Sequence, residues 1–375
     1  MKMRVLVDAT AIPPDRGGVG RYVEELLRAL DAMDLALAVA VQPRDGERLA
    51  AAAPGAEIVI APGAVARRPA RMAWEQLGLP GVARRWRADV LHSPHYTMPV
   101  AAGRPVVVTL HDATFFSHPS LHSAVKGRFF RTATRWAVRH AAALVVPSAA
   151  TGREVRRYAG GDAGRFHVAH HGVDTAVFHP TDAAERDRVR ATLDIADRPY
   201  VAFLGTLEPR KNVPALVRGW VTAVAAWQEP PALVLAGGPG WDEGVEPALA
   251  AVPGHLTVRR AGYLPLDDLA GFLAGAEVVA YPSLGEGFGL PVLEAMACGA
   301  AVLTSRELSL PEVGGDAVEY SGTTDEQIAA ALRSLLERPE RRSELGRAAQ
   351  ERAAGFTWEA AARVHLDAYR AALGS

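Results

Sequence analysis

The chain has 375 residues and a formal net charge of −1 at pH 7; 49% of its residues are hydrophobic and 22% are charged. This composition is typical of a folded protein with more than one core and excludes an intrinsically disordered chain. The single cysteine, Cys298, excludes a disulfide framework and a cysteine-based metal site, and it favours a reducing cytoplasm.

In chain order, residues 4–8 read as a buried parallel strand, followed by a glycine-rich loop and a helix. No signal peptide precedes this strand, and no window of the chain reaches the ~18 consecutive apolar residues of a membrane span. Further strands alternate with helical stretches and are predicted at 35–41, 57–60, 89–92, 105–110 and 143–146. This alternation predicts a doubly wound parallel sheet, which binds ligands beyond the carboxyl ends of its strands.

Two features of the first half are candidate ligand contacts. The glycines at 17–20 can admit a phosphate or another ligand close to the backbone, although a simple turn explains them as well. His111 follows the strand at 105–110, where a histidine either faces a ligand or satisfies backbone groups. The second strand ends without the acidic residue of a dinucleotide site, which argues against an NAD dehydrogenase.

A basic stretch at residues 121–140 carries five Lys and Arg, no carboxylate and three interleaved aromatic residues. It suits an anionic membrane surface or a phosphate-bearing acceptor, and a solvated arginine face is the alternative. We expect no nucleic-acid partner, because no recognition motif accompanies the charge. Residues 1–180 carry 23 Lys and Arg against 15 Asp and Glu, whereas residues 181–375 carry 18 against 27. This asymmetry suggests two domains that face different surroundings.

Residues 181–198 are polar and are predicted to form a linker, after which the strand pattern restarts at 200–205 and predicts a second doubly wound sheet. Its other strands are predicted at 232–236, 256–259, 276–281 and 300–304, and three helices at 325–337, 340–354 and 357–373.

Arg210 and Lys211 follow the restarting strand, where a guanidinium fork and an ammonium group together can neutralise a diphosphate. A glycine-rich turn later opens a helix, and Glu286 and Glu294 flank the start of that helix. Backbone amides at the start of a helix form an anion site. The amides predicted to form it here are those of Gly287, Phe288, Gly289 and Leu290. Surface charge and a solvated helix face are the alternatives.

These motifs in combination resemble glycosyltransferase family four. The resemblance is carried by the spacing of Glu286 and Glu294 and by the segments at 17–20, 170–174, 178–180, 208–212 and 309–316, and it covers nearly the whole chain. It implies a GT-B fold, α/β, with two doubly wound Rossmann-like domains facing a central cleft. The subgroup that the chain most resembles contains bacterial mannosyltransferases of polysaccharide and glycolipid assembly.

The resemblance also implies domain limits. Residues 1–180 would form the N-terminal acceptor-side domain, 199–356 the C-terminal nucleotide-sugar-binding domain, and 357–375 a helix crossing back to the N-terminal domain. The activity implied is a retaining, metal-independent hexosyltransferase without a cofactor; no Asp-x-Asp run is present to hold a metal.

The residue roles that the resemblance implies are specific. Arg210 and Lys211 would bind the donor diphosphate and stabilise the leaving group. Glu286 would hold hydroxyls of the transferred sugar, Glu294 would hold the ribose, and His111 would reach the transferred sugar. The remaining implied donor contacts are Gly205, Gly287, Phe288, Gly289, Leu290, Gly17 and Gly18, with Tyr263 and Leu264 near the base. The implied acceptor-side residues are Gly20, Arg21, Tyr22 and Asp112.

The preferred donor from the resemblance is GDP-mannose, and UDP-glucose, UDP-N-acetylglucosamine and dTDP-linked deoxysugars stay open. The acceptor would be a glycan or a polyprenyl- or lipid-linked glycan at the inner face of the plasma membrane, or else a small molecule. Other functions left open are a nucleotide-sugar epimerase, a phosphorylase and a non-catalytic nucleotide-sugar-binding protein. A pyridoxal phosphorylase is disfavoured, because the chain has only Lys2, Lys126 and Lys211, and Lys211 fits the diphosphate role.

Overall fold

The computed structural model describes residues 2–13, 17–195 and 198–374. Asp15 and Arg16 of the glycine loop lie outside the described residues, as do Ala196 and Asp197 of the predicted linker and the two terminal residues. The chain divides into two compact units. The first unit comprises Met1–Gly172 with Thr357–Ser375, and the second unit comprises Val173–Phe356.

The first unit is built on a parallel sheet of seven described strands in the order β3-β2-β1-β4-β5-β6-β7. The strands are β1 (Met3–Asp8), β2 (Leu35–Val41), β3 (Glu57–Ile60), β4 (Val90–Ser93), β5 (Val106–Thr109), β6 (Ala143–Val146) and β7 (Phe166–Val168). The helices are α1 (Gly17–Asp31), α2 (Gly46–Ala52), α3 (Arg68–Leu77), α4 (Leu79–Trp86), α5 (Thr114–Ser117), α6 (Ala124–His140) and α7 (Ala149–Ala159).

Both faces of this sheet are covered by helices, which is why its strands are runs of apolar residues. Successive side chains of a strand point to opposite faces, so Val5 and Val7 join one hydrophobic cluster while Leu6 joins the other. Helix α1 contributes an apolar stripe to the first cluster through Val23 and Leu27, and α4 and α6 cover the opposite face.

The second unit repeats this architecture with six described parallel strands in the order β10-β9-β8-β11-β12-β13. In chain order its elements are α8 (Ala183–Thr192), β8 (Tyr200–Leu204), α9 (Val213–Val224), β9 (Ala232–Ala236), α10 (Val245–Ala250), β10 (Val258–Gly262), α11 (Leu269–Ala274), β11 (Val278–Tyr281), α12 (Leu290–Ala297), β12 (Val302–Ser305), α13 (Leu310–Gly314), β13 (Glu319–Ser321), α14 (Asp325–Leu336) and α15 (Pro339–Ala353). The predicted α/β class with a doubly wound parallel sheet is thus confirmed in each unit.

The predicted linker at 181–198 is wrong for most of its length, because α8 occupies it and belongs to the second unit. Asp182 caps this helix by accepting a hydrogen bond from the amide of Glu185 at 2.8 Å. Val189 is fully buried and fills the space beside Gly271 of α11, where a Cβ would come within 2.7 Å of it. One buried residue on an otherwise polar helix gives little periodicity to detect.

The last helix, α16 (Trp358–Gly374), belongs to the first unit and packs on α1 and on the strands β4–β7. Gly172 permits this return of the chain, because a Cβ at that position would lie 2.2 Å from the amide nitrogen of Trp358. Among the described residues, none of the helices has both the length and the apolar character needed to cross a membrane.

Candidate active site

The candidate site of the second unit lies at the carboxyl edge of its sheet, where the loops after β8, β9, β10 and β11 emerge together. The loop after β8 carries Arg210 and Lys211 on a short 3₁₀ turn, Pro209–Lys211. Asn212 follows with φ near 60°, a left-handed conformation that asparagine tolerates. Its side-chain amide donates to the carbonyl oxygens of Pro282 (3.2 Å) and Thr323 (2.8 Å), which fixes the cation-bearing turn beside β11.

Gly237 allows the loops after β8 and β9 to approach each other. Gly237 has φ near 126°, and a Cβ there would lie 2.2 Å from the carbonyl oxygen of Gly205. The amide of Leu207 donates to the carbonyl of Gly238 at 3.0 Å, which continues the contact. The close approach therefore requires glycine at 237, whereas a Cβ on Gly205 would lie 3.4 Å from Phe203.

Arg210, Lys211 and Glu286 converge in one buried cluster. Lys211 Nζ lies 2.7 Å from Glu286 Oε1, and the Arg210 guanidinium pairs with Glu286 Oε2 through Nη1. The same Nη1 donates to the carbonyl of Gly285 at 2.9 Å, and Nη2 lies 2.6 Å from Glu208 Oε1. One planar group therefore bridges the loops after β8 and β11.

The charges of this cluster control the ionisation of Glu286. Burial alone would raise the pKa of its carboxyl, but the adjacent charges of Arg210 and Lys211 outweigh burial and lower it to about 2. Burial, followed by repulsion from Arg210, lowers the pKa of Lys211, while the attraction of Glu286 opposes this shift. Glu286 is thus ionised at neutral pH and lies between two cations.

Sequence reasoning missed two members of this cluster, Tyr281 and Ser283. The Tyr281 hydroxyl donates to Glu286 Oε1 at 2.9 Å and contacts Lys211 Nζ, and Ser283 Oγ lies 2.8 Å from the same carboxylate oxygen. Tyr281 ends β11 and Ser283 follows two residues later. Their position at a carboxyl strand end was a usable signal, of the kind that identified His111.

Helix α12 begins at Leu290 with Pro291 in its first turn, as the sequence predicts. Gly289 caps it with φ near 107°, and a Cβ there would lie 2.9 Å from Leu310. Ser309 Oγ lies 2.8 Å from the carbonyl oxygens of both Glu286 and Phe288, so it ties the preceding turn to the start of α13. The turn at 287–289 is therefore rigidly held beside the cations.

Glu294 lies in the second turn of α12 and is 3% exposed, so its carboxylate is largely enclosed. Directly after β10, Tyr263 is 71% exposed, and its hydroxyl would lie 2.5 Å from a Cβ on Gly238. The side chain of Leu264 packs on the core of the second unit. The structure thus places all the predicted donor residues of this unit along the carboxyl half of its sheet or on α12.

In the first unit, His111 follows β5 and donates from Nε2 to the carbonyl of Pro94 at 2.7 Å. Burial lowers the pKa of its imidazole. The ring is therefore neutral at pH 7, with Nδ1 left as the acceptor nitrogen. The edge of the Tyr22 ring packs on it with the ring centroids 4.9 Å apart. The Pro94 carbonyl and the Tyr22 ring together fix the orientation of the His111 imidazole.

A continuous hydrogen-bond chain lies beside His111 and attaches α16 to the sheet. His365 Nδ1 donates to the carbonyl of Ala361 at 2.8 Å, so its Nε2 accepts from Tyr22 at 2.8 Å. The Tyr22 oxygen in turn accepts from Thr109 at 2.9 Å. Thr109 accepts from His92 Nε2 at 2.9 Å, and His92 Nδ1 accepts from Tyr369 at 3.0 Å. Every proton of this buried chain has an acceptor, provided that both histidines are neutral.

This chain corrects the expectation for Tyr22, which was predicted to contact the acceptor. Its side chain is 1% exposed and its hydroxyl is already engaged by Thr109 and His365. Tyr22 is therefore a buried support beside His111 and not a surface contact.

The other predicted residues of the first unit differ in exposure. Gly17 and Gly18 begin α1, and a Cβ at either position would meet nothing within 4 Å. Gly20 is buried and Arg21 is partly buried. Asp112 Oδ1 accepts from the amide (3.0 Å) and the hydroxyl (2.8 Å) of Thr114, the first residue of α5, so its carboxylate is already engaged.

The chain matches two family models in sequence. Residues 16–177 match Glycosyltransferase Family 4, and residues 185–352 match Glycosyl transferases group 1. O-antigen chain mannosyltransferase B of Escherichia coli is 30% identical over 80% of this chain and 77% of its own length. Alpha-maltose-1-phosphate synthase of Mycolicibacterium smegmatis is 31% identical over 98% and 99%. D-inositol 3-phosphate glycosyltransferase of Kineococcus radiotolerans is 34% identical over 61% and 57%.

Solved structures share the fold across almost the whole chain. Anabaena Alr3699/HepE, in a crystal structure with UDP and glucose, aligns with a TM-score of 0.77 at 18% identity, covering 97% of this chain and 98% of that one. Sucrose-phosphate synthase from Thermosynechococcus elongatus aligns with a TM-score of 0.74 at 20% identity, covering 98% of both chains. At these identities the likeness concerns the fold alone. Taken with the family matches, it establishes that the chain belongs to glycosyltransferase family 4 and is a glycosyltransferase with the GT-B fold.

Proposed function

We propose that the protein transfers a hexose from a nucleotide-diphosphate sugar to a glycan or lipid-linked glycan, without a metal ion and with retention of anomeric configuration. The observation that carries this proposal is the cluster of Arg210, Lys211 and Glu286 at the carboxyl edge of the second sheet. The cluster lies next to the turn that precedes α12. Two cations and the N-terminus of a helix are therefore available to one anionic group.

Such a site suits the departure of a diphosphate. Breaking the bond between sugar and phosphate builds negative charge on the leaving group, and cations fixed in advance lower that barrier. Lys211 supplies this charge from a buried position and Arg210 from a partly buried one, where it is weakly screened. From the family resemblance, Glu294 binds the ribose hydroxyls and His111 binds the transferred sugar.

Retention by front-face attack is favoured over a covalent intermediate on Glu286. Its pKa of about 2 makes the carboxylate a weak nucleophile, and three donors already occupy Oε1. In front-face attack the leaving phosphate oxygen accepts the proton of the acceptor hydroxyl. No protein side chain is then needed as a general base for the acceptor hydroxyl.

GDP-mannose is the preferred donor, because the E. coli relative is named a mannosyltransferase. A UDP-linked sugar with a small acceptor is the second candidate. It is favoured by relatives named for maltose 1-phosphate and inositol 3-phosphate, and by the UDP and glucose in the Anabaena structure.

A lipid-linked acceptor is supported by the surface around α6, which we call the α6 surface. Its four exposed large apolar side chains are Leu77 (81%), Val100 (66%), Val125 (83%) and Phe129 (42%). The Val100 amide donates to Gln76 of α3 at 2.8 Å, and Phe130 of α6 packs on Tyr96 with 5.0 Å between ring centroids. One loop therefore joins α3 to α6. The exposed cations of α6 are Lys126, Arg128, Arg135 and Arg139.

Apolar side chains among cations, on a helix without a carboxylate, suit the inner surface of an anionic membrane. A cytoplasmic protein bound peripherally at the plasma membrane fits this surface.

The test of this function is a donor screen followed by product analysis. Thermal unfolding is measured with GDP-mannose, UDP-glucose, UDP-N-acetylglucosamine and dTDP-sugars; the true donor at 100 times its Kd adds about 2.7 kcal/mol of stability. NMR of the transfer product with that donor is expected to show the donor's own anomeric configuration. An inverted linkage contradicts retention, and an epimerised sugar formed without acceptor contradicts transfer altogether.

A further inference from the structure

Glu286 accepts from four protein donors, which is as many as the lone pairs of one carboxylate allow. Lys211, Tyr281 and Ser283 lie within 2.9 Å of Oε1, and Arg210 pairs with Oε2. Two of these donors are cations and two are neutral hydroxyls. The residue is 6% exposed, so protein groups rather than water satisfy it.

The two cations are also shared with a second carboxylate. Glu208 Oε1 lies 2.6 Å from Arg210 Nη2 and 3.9 Å from Lys211 Nζ. Two carboxylates therefore balance two cations before any ligand arrives. A diphosphate that uses the same N–H groups has to compete with both glutamates for them.

We propose that Glu208 and Glu286 are internal counter-ions, which the donor diphosphate displaces from Arg210 and Lys211, and that Tyr281 and Ser283 are positioning residues that hold Glu286 after the exchange. This inference rests on the proposed function and concerns the same site.

The two hydroxyls are suited to this role because a buried carboxylate left without donors is strongly destabilised. Tyr281 is 1% exposed and its burial raises the pKa of the phenol well above its usual value, so the hydroxyl keeps its proton. The one proton of Ser283 Oγ is shared between Glu286 Oε1 and the carbonyl of Arg210 at 2.9 Å, so this hydroxyl links Glu286 to the cation-bearing turn. When the cations bind the diphosphate, the two hydroxyls still donate to the carboxylate of Glu286.

The counter-ions also affect the release of the nucleoside diphosphate product. Once the sugar has left, the nucleoside diphosphate still competes with both glutamates for the cations. The counter-ions therefore weaken product binding and favour its release.

The test uses Glu286→Gln, which keeps the size of the side chain and removes its charge. Isothermal titration with inorganic pyrophosphate, GDP and UDP is expected to show about tenfold tighter binding than wild type, since close charge pairs couple by at least that factor. Transfer by the same variant is expected to fall, because the sugar contact is weakened. Glu208→Gln provides a second variant and is expected to tighten binding in the same direction. Glu277→Gln, which removes a carboxylate that precedes β11 and pairs with Arg342, is the matched control and leaves pyrophosphate affinity unchanged.

The positioning role is tested by a double-mutant cycle. Tyr281→Phe is expected to weaken diphosphate binding about tenfold in the wild-type background, as loss of a hydrogen bond to a charged group does, and to weaken it less in Glu286→Gln, where only the contact of the hydroxyl with Lys211 is lost. An equal loss in both backgrounds overturns the positioning role. If wild type binds the probes but neither Glu208→Gln nor Glu286→Gln binds them more tightly, the counter-ion role is overturned and the donor site stands. No binding of any of the three probes to wild type overturns the proposed function as well.

Discussion

At the residue scale, the site depends on the shape of Arg210 as much as on its charge. Its Nη1 donates to the carbonyl of Gly285 and pairs with Glu286, while Nη2 pairs with Glu208. Only a planar group with several fixed donors reaches all three acceptors at once. Lysine has the same charge but a single nitrogen.

We therefore expect Arg210→Lys to lower kcat about tenfold or more, through lost hydrogen bonds between charged groups. The measurement is nucleoside diphosphate release with the donor found in the screen. Arg259→Lys is the control, because that side chain is 48% exposed and pairs at the surface with Asp194. Equal kcat for Arg210→Lys and wild type refutes the requirement for a forked donor.

Sequence reasoning identified Arg210, Lys211 and Glu286 because each belongs to a motif with distinctive chemistry. It missed Tyr281, since a tyrosine ending a buried strand also reads as ordinary core. Tyr22 was misplaced because it lies close to the glycine loop in sequence and was therefore grouped with the site. Its position on α1 instead directs the side chain into the core. Side-chain direction within an element depends on tertiary packing, which a motif does not encode.

At the element scale, α16 is attached to the first unit through polar groups as well as apolar ones. Its His365 and Tyr369 take part in the buried chain that runs through Tyr22, Thr109 and His92. A sequence pattern predicts α16 as a helix, but the hydrogen-bond partners lie more than 250 positions away along the chain. They were not predictable from local periodicity.

This arrangement predicts a loss of stability in acid. Burial lowers the pKa of His365 to about 4, from an ordinary value of 6.5, so the unfolded chain binds a proton that the folded chain does not. Stability is therefore complete above pH 6.5 and is lost as the pH falls toward 4, by about 2 kcal/mol at pH 4.5 for this group.

Urea unfolding at pH 7.5 and pH 4.5 measures this loss. His365→Gln keeps an acceptor for Tyr22 and has no charge to gain, so its stability is expected to fall less on acidification than that of wild type. An identical fall in both proteins would show that His365 does not contribute.

At the scale of the whole molecule, the two sheets were predictable because buried parallel strands are uninterrupted apolar runs. Strands β2, β3, β6 and β9 coincide with their predicted limits. Strands β7 and β13 were missed, since three residues at a sheet edge carry little pattern. The excess of basic residues before position 181 also has a structural counterpart, the α6 surface with its apolar side chains.

We expect the α6 surface to bind anionic vesicles. Flotation with phosphatidylglycerol-containing liposomes should recover wild-type protein, and neutral liposomes should not. Phe129→Asp together with Val125→Asp removes apolar contact and adds repulsion, so recovery should fall several-fold, by about 1 kcal/mol or more per changed charge. Ile60→Asp is the matched control, an exposed apolar residue elsewhere in the first unit. Equal recovery on neutral and anionic vesicles refutes the membrane role.

The central claim is that Arg210 and Lys211 stabilise a departing diphosphate, and acceptor-dependent release of nucleoside diphosphate by Lys211→Ala tests it most directly. The account predicts that kcat falls about 100-fold or more, as loss of a group stabilising transition-state charge does, while Arg218→Ala, which removes a half-exposed cation of the same unit, turns over like wild type. A folded Lys211→Ala enzyme with wild-type kcat would contradict the account.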